Sequence, residues 1–333
     1  MGGGKSAGAY LLLDARGIGV GKWSLAVWVS ENYPPAGRCN QGLGRVGAKM
    51  QSVAAVVVFL NPGPEELGRL ERHSQFFRQT FVIDNSVQPH EEMVRELVSD
   101  SISYLSNAEN VGIAGALNQG LQMALAGDYQ YCLLLDQDSV ISEESVNALL
   151  DAFGDVADAF LCCPRVMDQS HISGGSDATG KMERVTTCIT SGTMVEMRFL
   201  DIVGYHDEKL FIDYVDFEWC LRAHAHGLYT YRVNSAFIQH SLGAKRRHRL
   251  LGMVFHPTHH SALRKYYKTR NMLYVFSLYF RSHPRWVIGK ICLTVREIAL
   301  VCLFEGGKVQ KLKAYWLGVK DFLLSDFRIR KSI

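Results

Sequence analysis

The stretch Tyr131-Cys-Leu-Leu-Leu-Asp-Gln-Asp-Ser139 decides the fold, because an apolar run leads directly into two carboxylates. An apolar run of this length, bounded by polar residues, predicts a strand buried on both faces of a sheet. Residues two apart at a strand end project to the same side, so Asp136 and Asp138 can face one point. Two carboxylates there suit a hard divalent cation, Mg²⁺ or Mn²⁺. A solvated turn after the strand is the alternative, and the pair alone does not exclude it.

Apolar strand patterns and helical patterns alternate on either side of this stretch. Strands are predicted at 53–60, 80–84, 101–105, 159–163 and 185–197, and helices at 64–78, from 89, at 110–127, 143–153 and 213–227. This alternation predicts an α/β fold, a Rossmann-like and mostly parallel sheet with helices on both faces. Because open α/β sheets bind ligands at the carboxyl ends of their strands, the two aspartates would lie at the site.

The composition is that of a folded protein. Hydrophobic residues make up 47% of the 333 residues, which excludes global disorder. The 8 cysteines form no CxxC pattern, so neither a disulfide framework nor a structural zinc site is expected, and a reducing cytoplasm fits. The apolar run at 10–13 is too short for a signal peptide and is followed by Asp14.

Residues 1–50 differ from the rest of the chain. They are rich in glycine, carry no sustained periodicity and lack the spacing of a phosphate-binding loop. We expect this segment to be a poorly ordered or non-native extension that precedes a catalytic domain at 51–244.

The charges divide the chain into an acidic part and a basic part. Residues 245–333 contain 19 Lys and Arg but only 4 Asp and Glu, although the whole chain has a net charge of only +3. Within this region, 286–304 is strongly apolar, but Lys290, Thr294 and Glu297 share one helical face. We therefore predict an amphipathic helix that lies at the anionic inner face of the plasma membrane rather than spanning it. The alternative is that its apolar face packs on the catalytic domain.

Seven short motifs follow one another over about residues 53–285, and their order is informative although each is weak alone. They are 56–62, 82–86, 110–118, 135–138, 191–192, 211–222 and 240–243. In this order they resemble the family 2 glycosyltransferases, and among these the bacterial rhamnosyltransferases. One departure is Phe59-Leu60, where the family usually has Thr-Tyr.

The resemblance implies a glycosyltransferase-A (GT-A) fold and a nucleotide-sugar donor, with dTDP-L-rhamnose as the expected donor. Asp84 would hydrogen-bond the nucleobase of the donor. An ordinary turn also explains Asp84-Asn85-Ser86. The residues expected to line the donor site are Asn61, Asp84, Asn85, Asn110, Asn118, Ser191 and Gly192.

The resemblance also implies that Asp136 and Asp138 hold a cation that binds the donor diphosphate. Such a cation stabilises the charge that develops on the departing nucleoside diphosphate without a proton donor. His240 matches the family's third metal-contacting position. A polar histidine at a strand end, satisfied by its surroundings, is the alternative for His240.

Asp216 matches the general base of the family, which takes a proton from the acceptor hydroxyl. Asp213 and Glu218 are expected to orient a loop or the acceptor, with Arg222 beside them. A cap on the helix dipole would explain any one of these acids, and an i,i+4 salt bridge would explain Glu218 with Arg222.

Together these features predict an inverting, Mg²⁺- or Mn²⁺-dependent glycosyltransferase, cytoplasmic and peripheral at the membrane. Its acceptor would be a surface polysaccharide of the O-antigen type or a lipid-linked glycan. Three alternatives are another nucleotide-sugar donor, a haloacid-dehalogenase-type phosphatase with Asp136 as nucleophile, and a non-enzymatic basic module that binds membrane or nucleic acid. No nucleic-acid motif is recognisable, so nucleic acid is not expected as a partner. The sequence does not predict the oligomeric state.

Overall fold

A computed structural model describes residues 13–14, 52–97, 101–168, 171–173, 181–239, 248–250, 253–255 and 259–333. The strands are β1 Leu13–Asp14, β2 Val53–Phe59, β3 Gln79–Asp84, β4 Ile102–Ser106, β5 Tyr131–Asp136, β6 Val140–Ile141, β7 Ala159–Asp168, β8 His171–Ser173, β9 Met182–Val185, β10 Thr193–Glu196, β11 Tyr229–Gln239, β12 His248–Leu250 and β13 Met253–Phe255. The α-helices are α1 Pro64–Ser74, α2 Glu91–Arg95, α3 Gly112–Ala126, α4 Glu143–Phe153, α5 Leu200–Val203, α6 Val215–Ala225, α7 Ala262–Tyr279, α8 Pro284–Phe304 and α9 Lys308–Leu323.

Strand β5 lies in the middle of the main sheet, whose order is β1-β4-β3-β2-β5-β10-β7-β11-β6. The strands from β1 to β5 in this order are parallel, whereas β10 runs antiparallel to both β5 and β7. The prediction of an α/β sheet with helices around it is confirmed, and the sheet is mixed beyond β5.

The sheet is buried on both faces, as the alternation of strands and helices predicted. Along β2, Val53, Ala55 and Val57 enter one hydrophobic core, which also contains Leu70 of α1. Their neighbours Ala54, Val56 and Val58 enter the core on the other face, with Leu117 and Leu121 of α3 and Trp219 of α6. A strand that feeds two cores has apolar residues at every position, which is why it reads as a continuous apolar run.

The carboxyl ends of three parallel strands are level with one another. In the register of the sheet, Asp84 pairs with Phe59 and Asp136 pairs with Val58, so β2 separates the two aspartates by one strand. Two strand spacings correspond to roughly 10 Å.

The range 185–197, where a strand was predicted to end near Ser191-Gly192, contains only the last residue of β9 and then β10 at 193–196. Strand β9 pairs with β11, whereas β10 pairs with β5 and β7. The chain turns between them at Gly192, whose φ is +77°. A Cβ at this glycine would lie 2.6 Å from Cδ1 of Ile238, so the turn needs glycine for conformation and for space.

The C-terminal helices pack on the catalytic half of the chain. One hydrophobic cluster combines Leu210, Tyr214 and Val215 with Phe276 of α7 and Val287 of α8. Helix α9 packs along α7. The proposed division at residue 244 therefore separates parts that share a core.

Helix α8 places two of its polar side chains, Thr294 and Glu297, against α7. Thr294 donates to Sδ of Met272, and Glu297 accepts hydrogen bonds from Lys265 and Lys268 of α7. Many outward side chains are apolar, among them Ile288, Ile291, Leu293, Val295 and Leu303, and Arg285 and Arg296 are exposed as well. The helix also buries Val287, Leu300 and Val301, so part of its apolar surface packs on the protein, and its contact with a membrane stays a prediction. Among the helices that the structure describes, none has the length and apolar character needed to cross a membrane.

Candidate active site

Three hydrogen-bonding groups fix the turn that carries Asp136 and Asp138 at the end of β5. The N–H of Asp136 donates to Oγ of Ser191 at 3.3 Å. The N–H of Ser139 donates to the carbonyl of Asp136 at 3.1 Å, which closes a tight turn. Gln137, between the two acids, accepts from the N–H of Leu60 at 2.8 Å. The pair is thereby tied to the ends of both neighbouring strands.

The donor set at this turn fits a divalent cation such as Mg²⁺ or Mn²⁺. Asp136 and Asp138 are both partly exposed, and they offer carboxylate oxygens at the edge of the sheet. The described residues contain no cluster of three or more His, Cys, Asp or Glu side chains able to enclose a metal. Two carboxylates with open positions suit Mg²⁺, which keeps water or phosphate as its other ligands. His240, the predicted third contact, lies outside the described residues.

Asp84 is fully buried at the end of β3 and accepts several hydrogen bonds. Oδ1 accepts from the N–H of Ser86 at 2.9 Å, and Oδ2 accepts from the hydroxyl of Tyr104 at 2.6 Å and the N–H of His90 at 3.1 Å. Burial alone would raise the pKa of Asp84, but the hydrogen bonds from Ser86, Tyr104 and His90 bring the pKa below its usual value. The carboxylate of Asp84 thus holds the loop that follows β3. The predicted hydrogen bond of Asp84 with the nucleobase of the donor stays a prediction.

Asn85 and Asn110 join the strand-end loop to the start of α3. The side-chain amide of Asn85 donates to the Gly112 carbonyl at 3.0 Å and to Oδ1 of Asn110 at 3.3 Å. Gly112 has a φ of +85°, and a Cβ there would lie 2.6 Å from the Phe211 ring. The motif at 110–118 therefore touches the loop that leads to the acidic helix. The predicted Asn61 lies on the same edge, where its N–H donates to Oγ of Ser86 at 2.7 Å.

Asn118 lies in the middle of α3 rather than at a strand end. Its amide group exchanges two hydrogen bonds with the backbone of His206, at 3.0 and 2.9 Å, and donates to Glu208. These contacts hold the loop that precedes Asp213. The contact with nucleotide that the resemblance implies for Asn118 stays a prediction.

Asp216, in the first turn of α6, has the protonation behaviour of a general base. Desolvation is the main reason why the pKa of Asp216 is raised to about 7, and the negative charge of Asp213 raises it further. The hydrogen bond from the N–H of Phe217 and the positive charge of Lys290 both lower this pKa. A base is most effective when its pKa lies near the working pH. Asp216 also lines a small cavity together with Leu134 of β5, Thr190 and Thr193.

The loop at 211–214 has strained backbone geometry. The backbone φ angle is positive at Phe211 (52°), Asp213 (61°) and Tyr214 (68°). Such conformations cost on the order of 1–3 kcal/mol each unless the surroundings enforce them. Here the buried amide of Asn271 donates to the carbonyls of Leu210, Ile212 and Asp213.

Glu218 and Arg222 form the i,i+4 salt bridge that was the alternative to substrate contact. The guanidinium bonds both carboxylate oxygens of Glu218, at 3.0 and 2.6 Å, and donates to the carbonyls of Val203 and Tyr205. Tyr279 of α7 also donates to Glu218 at 2.9 Å. The pair ties α6 to α5 and α7, and its use in substrate binding stays a prediction.

Four side chains at the site were not predicted as site residues: Gln137, Arg264, Asn271 and Lys290. Gln137 bonds a residue 77 positions away, and nothing in the sequence signals that distance. Arg264 and Asn271 bound the stretch 264–271 of α7. Lys290 lies 3.9 Å above the Phe217 ring, next to Asp216.

The fold is of the GT-A type. Two solved structures share the fold: GalNAc-T7 with UDP, GalNAc and Mn²⁺, with a TM-score of 0.55 at 14% identity over 83% of this chain, and TarS of S. aureus, with a TM-score of 0.51 at 13% identity over 82% of this chain. The chain spans only 57% and 49% of the length of those two proteins.

Sequence comparisons match the chain to a family and to a relative. Residues 70–186 match the model of glycosyl transferase family 2. The chain is 28% identical to the dTDP-rhamnosyl transferase RfbF of Shigella flexneri, over 81% of this chain and 95% of the relative. The chain therefore carries a glycosyl transferase family 2 domain at 70–186 and is a glycosyltransferase that is similar over most of its length to a rhamnosyltransferase. The phosphatase and non-enzymatic alternatives are replaced by this assignment.

Proposed function

We propose that the enzyme transfers L-rhamnose from dTDP-L-rhamnose, with inversion, to a surface polysaccharide or a lipid-linked glycan. The observation that carries the reaction type is the carboxyl group of Asp216, whose pKa is raised to about 7, together with the pair Asp136 and Asp138 at the end of β5. The similarity to a dTDP-rhamnosyl transferase supports the donor sugar.

In this reaction Asp216 accepts the proton of the acceptor hydroxyl as its oxygen bonds the anomeric carbon. Attack from the face opposite the leaving diphosphate inverts the anomeric centre. A divalent cation held by Asp136 and Asp138 would supply neutralisation of the leaving diphosphate. The loop with positive φ angles before α6 leads directly to Asp216.

The test is a panel of dTDP-rhamnose, dTDP-glucose, UDP-glucose and GDP-mannose, each assayed for binding and for slow hydrolysis with Mn²⁺, with Mg²⁺ and after EDTA treatment. We expect metal-dependent turnover of dTDP-rhamnose. Turnover of a different donor would favour the alternative in which another nucleotide-sugar is used. Undiminished turnover after EDTA treatment, or in Asp138→Ala, would refute metal dependence.

We further propose that the outward face of α8 and the adjacent α9 contact an anionic membrane. The exposed apolar side chains on α8 are joined on α9 by Leu312, Trp316 and Leu323. Exposed basic residues adjoin this surface: Arg285, Arg296, Lys308, Lys313 and Lys320. Apolar side chains flanked by lysine and arginine are typical of helices that lie in an anionic lipid interface. A lipid-linked acceptor would then reach the site from the same surface.

Vesicle flotation tests the membrane contact. We expect the protein to float with phosphatidylglycerol-containing vesicles at low salt, and the double variant L293Q/V295Q to lose this binding while keeping donor hydrolysis. Ser277→Gln, also at an exposed position, is the control. Equal flotation of wild type and L293Q/V295Q would contradict the proposal. Point variants are needed because deleting α8 would remove Val287 from the core.

A further inference from the structure

Arg264 reaches the candidate site from the first turn of α7. Its Nη2 lies 3.1 Å from Oδ1 of Asp213 and its Nε lies 3.2 Å from Oδ2, so one edge of the guanidinium is anchored on the strained loop. The side chain nevertheless remains 45% exposed. Its Nη1 amino group takes no part in the ion pair with Asp213.

The same guanidinium is within electrostatic reach of the predicted metal site. Burial lowers the pKa of Arg264, but attraction to Asp213, and also to Asp136, raises it overall. Asp136 belongs to β5 and Asp213 to the loop before α6, so Arg264 connects the charges of the two elements. The Arg264 guanidinium is attracted to both Asp136 and Asp213. An anionic ligand at this place would lie between the guanidinium and a metal ion bound by Asp136.

We propose that Arg264 binds the diphosphate of the nucleotide-sugar and stabilises the leaving nucleoside diphosphate. The planar guanidinium can donate two parallel hydrogen bonds to phosphate oxygens. As the bond between the anomeric carbon and the phosphate oxygen breaks, its electron pair passes to that oxygen. The acceptor oxygen forms the new bond and loses its proton to Asp216, while Arg264 keeps its own protons. This role rests on the proposed glycosyl transfer.

Support of the loop alone does not account for Arg264. Asn271 already binds three carbonyls of that loop from a fully buried position. A half-exposed ion pair such as that of Arg264 with Asp213 contributes little to stability. The ion pair instead fixes the orientation of the guanidinium.

Isothermal titration of the full chain with dTDP and with dTMP, each with Mn²⁺, tests the assignment. We expect Arg264→Gln to weaken dTDP binding on the order of 10- to 100-fold. The effect on dTMP should be much smaller, because the second phosphate is missing. Arg264→Lys should recover part of the loss, since it keeps the charge but not the fork of donors. Arg328→Gln, which removes an exposed arginine from a pair with Asp326, is the matched control and should bind like wild type.

Asp213→Asn separates binding from loop support. If Arg264 contacts phosphate, Asp213→Asn, which removes the anchor's charge but keeps the guanidinium, should weaken dTDP binding less than Arg264→Gln does. Equal weakening by Asp213→Asn and Arg264→Gln, or equal weakening of dTDP and dTMP in Arg264→Gln, would overturn the proposal while leaving glycosyl transfer intact. Thermal unfolding shows whether a variant has folded, and Arg264→Lys provides the second measurement. A wild-type protein that binds none of dTDP, UDP and GDP with Mn²⁺ would instead overturn the proposed function itself.

Discussion

The side chain of Gln137 and the backbone of Leu60 bond each other twice across the edge of the sheet. Oε1 of Gln137 accepts the Leu60 N–H at 2.8 Å, and Nε2 donates to the Leu60 carbonyl at 3.4 Å. The residue between the two candidate metal ligands therefore fixes their turn to the neighbouring strand.

Gln137→Ala should loosen this turn without removing a ligand. We expect a rise in the Mn²⁺ concentration needed for half-maximal activity, by about 10-fold, which is the typical effect of losing a group that orients a ligand. Gln119→Ala, on α3 away from this turn, serves as the control. A metal dependence of Gln137→Ala that matches the wild type would show that the two hydrogen bonds do not orient the aspartates.

Asp216→Asn should lower kcat on the order of 100- to 10,000-fold while donor binding stays near that of wild type. In wild type, kcat/KM should fall as the pH drops below about 7, because the base must be ionised. Steady-state rates and titration of dTDP measure the two effects separately. Loss of donor binding in Asp216→Asn would reassign the residue to the donor site.

The same variant should be at least as stable as wild type at pH 8. The pKa of Asp216 is raised from 3.8 to about 7 in the folded state. Its contribution to the free energy of unfolding is therefore largest below pH 3.8, and this contribution is lost as the pH rises through 7. Urea unfolding of both proteins at pH 5 and pH 8 measures the difference. If Asp216→Asn were less stable than wild type at pH 8 but not at pH 5, the predicted pH dependence of stability would be wrong.

Lys290→Met should move the acidic limb of the kcat/KM profile to higher pH. The charged groups that act on Asp216 are Asp213, which raises its pKa, and Lys290, which lowers it. Removing the lysine charge leaves Asp216 protonated at a higher pH, so we expect about a 3- to 10-fold loss at pH 6.5 and little loss at pH 9. Lys290→Arg should keep the wild-type profile. A uniform loss at every pH would instead indicate a packing defect beside Phe217.

Asn271→Ala should reduce both stability and turnover. The variant leaves buried carbonyls of the loop at 210–213 without their donor, and we expect a loss of about 2–3 kcal/mol in the free energy of unfolding. The relaxed loop should also lower kcat, because Asp216 follows it directly. Ser277→Ala, at an exposed position of the same helix, should change stability by less than about 0.5 kcal/mol. A variant with reduced stability but wild-type kcat would show that the loop does not position the base.

Much of the sheet could be predicted because local patterns carry it. The apolar run at 131–135 and its counterpart at 53–59 became neighbouring parallel strands, since strands buried on both faces must be apolar at every position. The range 185–197 is not one strand, because the chain turns at Gly192 between β9 and β10, which have different partners. Which strand a segment pairs with depends on residues far away in the chain, and periodicity does not contain that information.

The sequence by itself determined the class of fold, the acids at the strand end and the first turn of α6, and the basic, amphipathic character of the C-terminal helices. Composition and spacing are local properties, and the order of motifs carries the family. Only the tertiary structure decided that α8 places Thr294 and Glu297 against α7, that Asn271 supports a strained loop and that the charges of Arg264 and Lys290 act on Asp136 and Asp216. These relations join side chains brought together by packing across long sequence separations, and no local pattern in the chain specifies them.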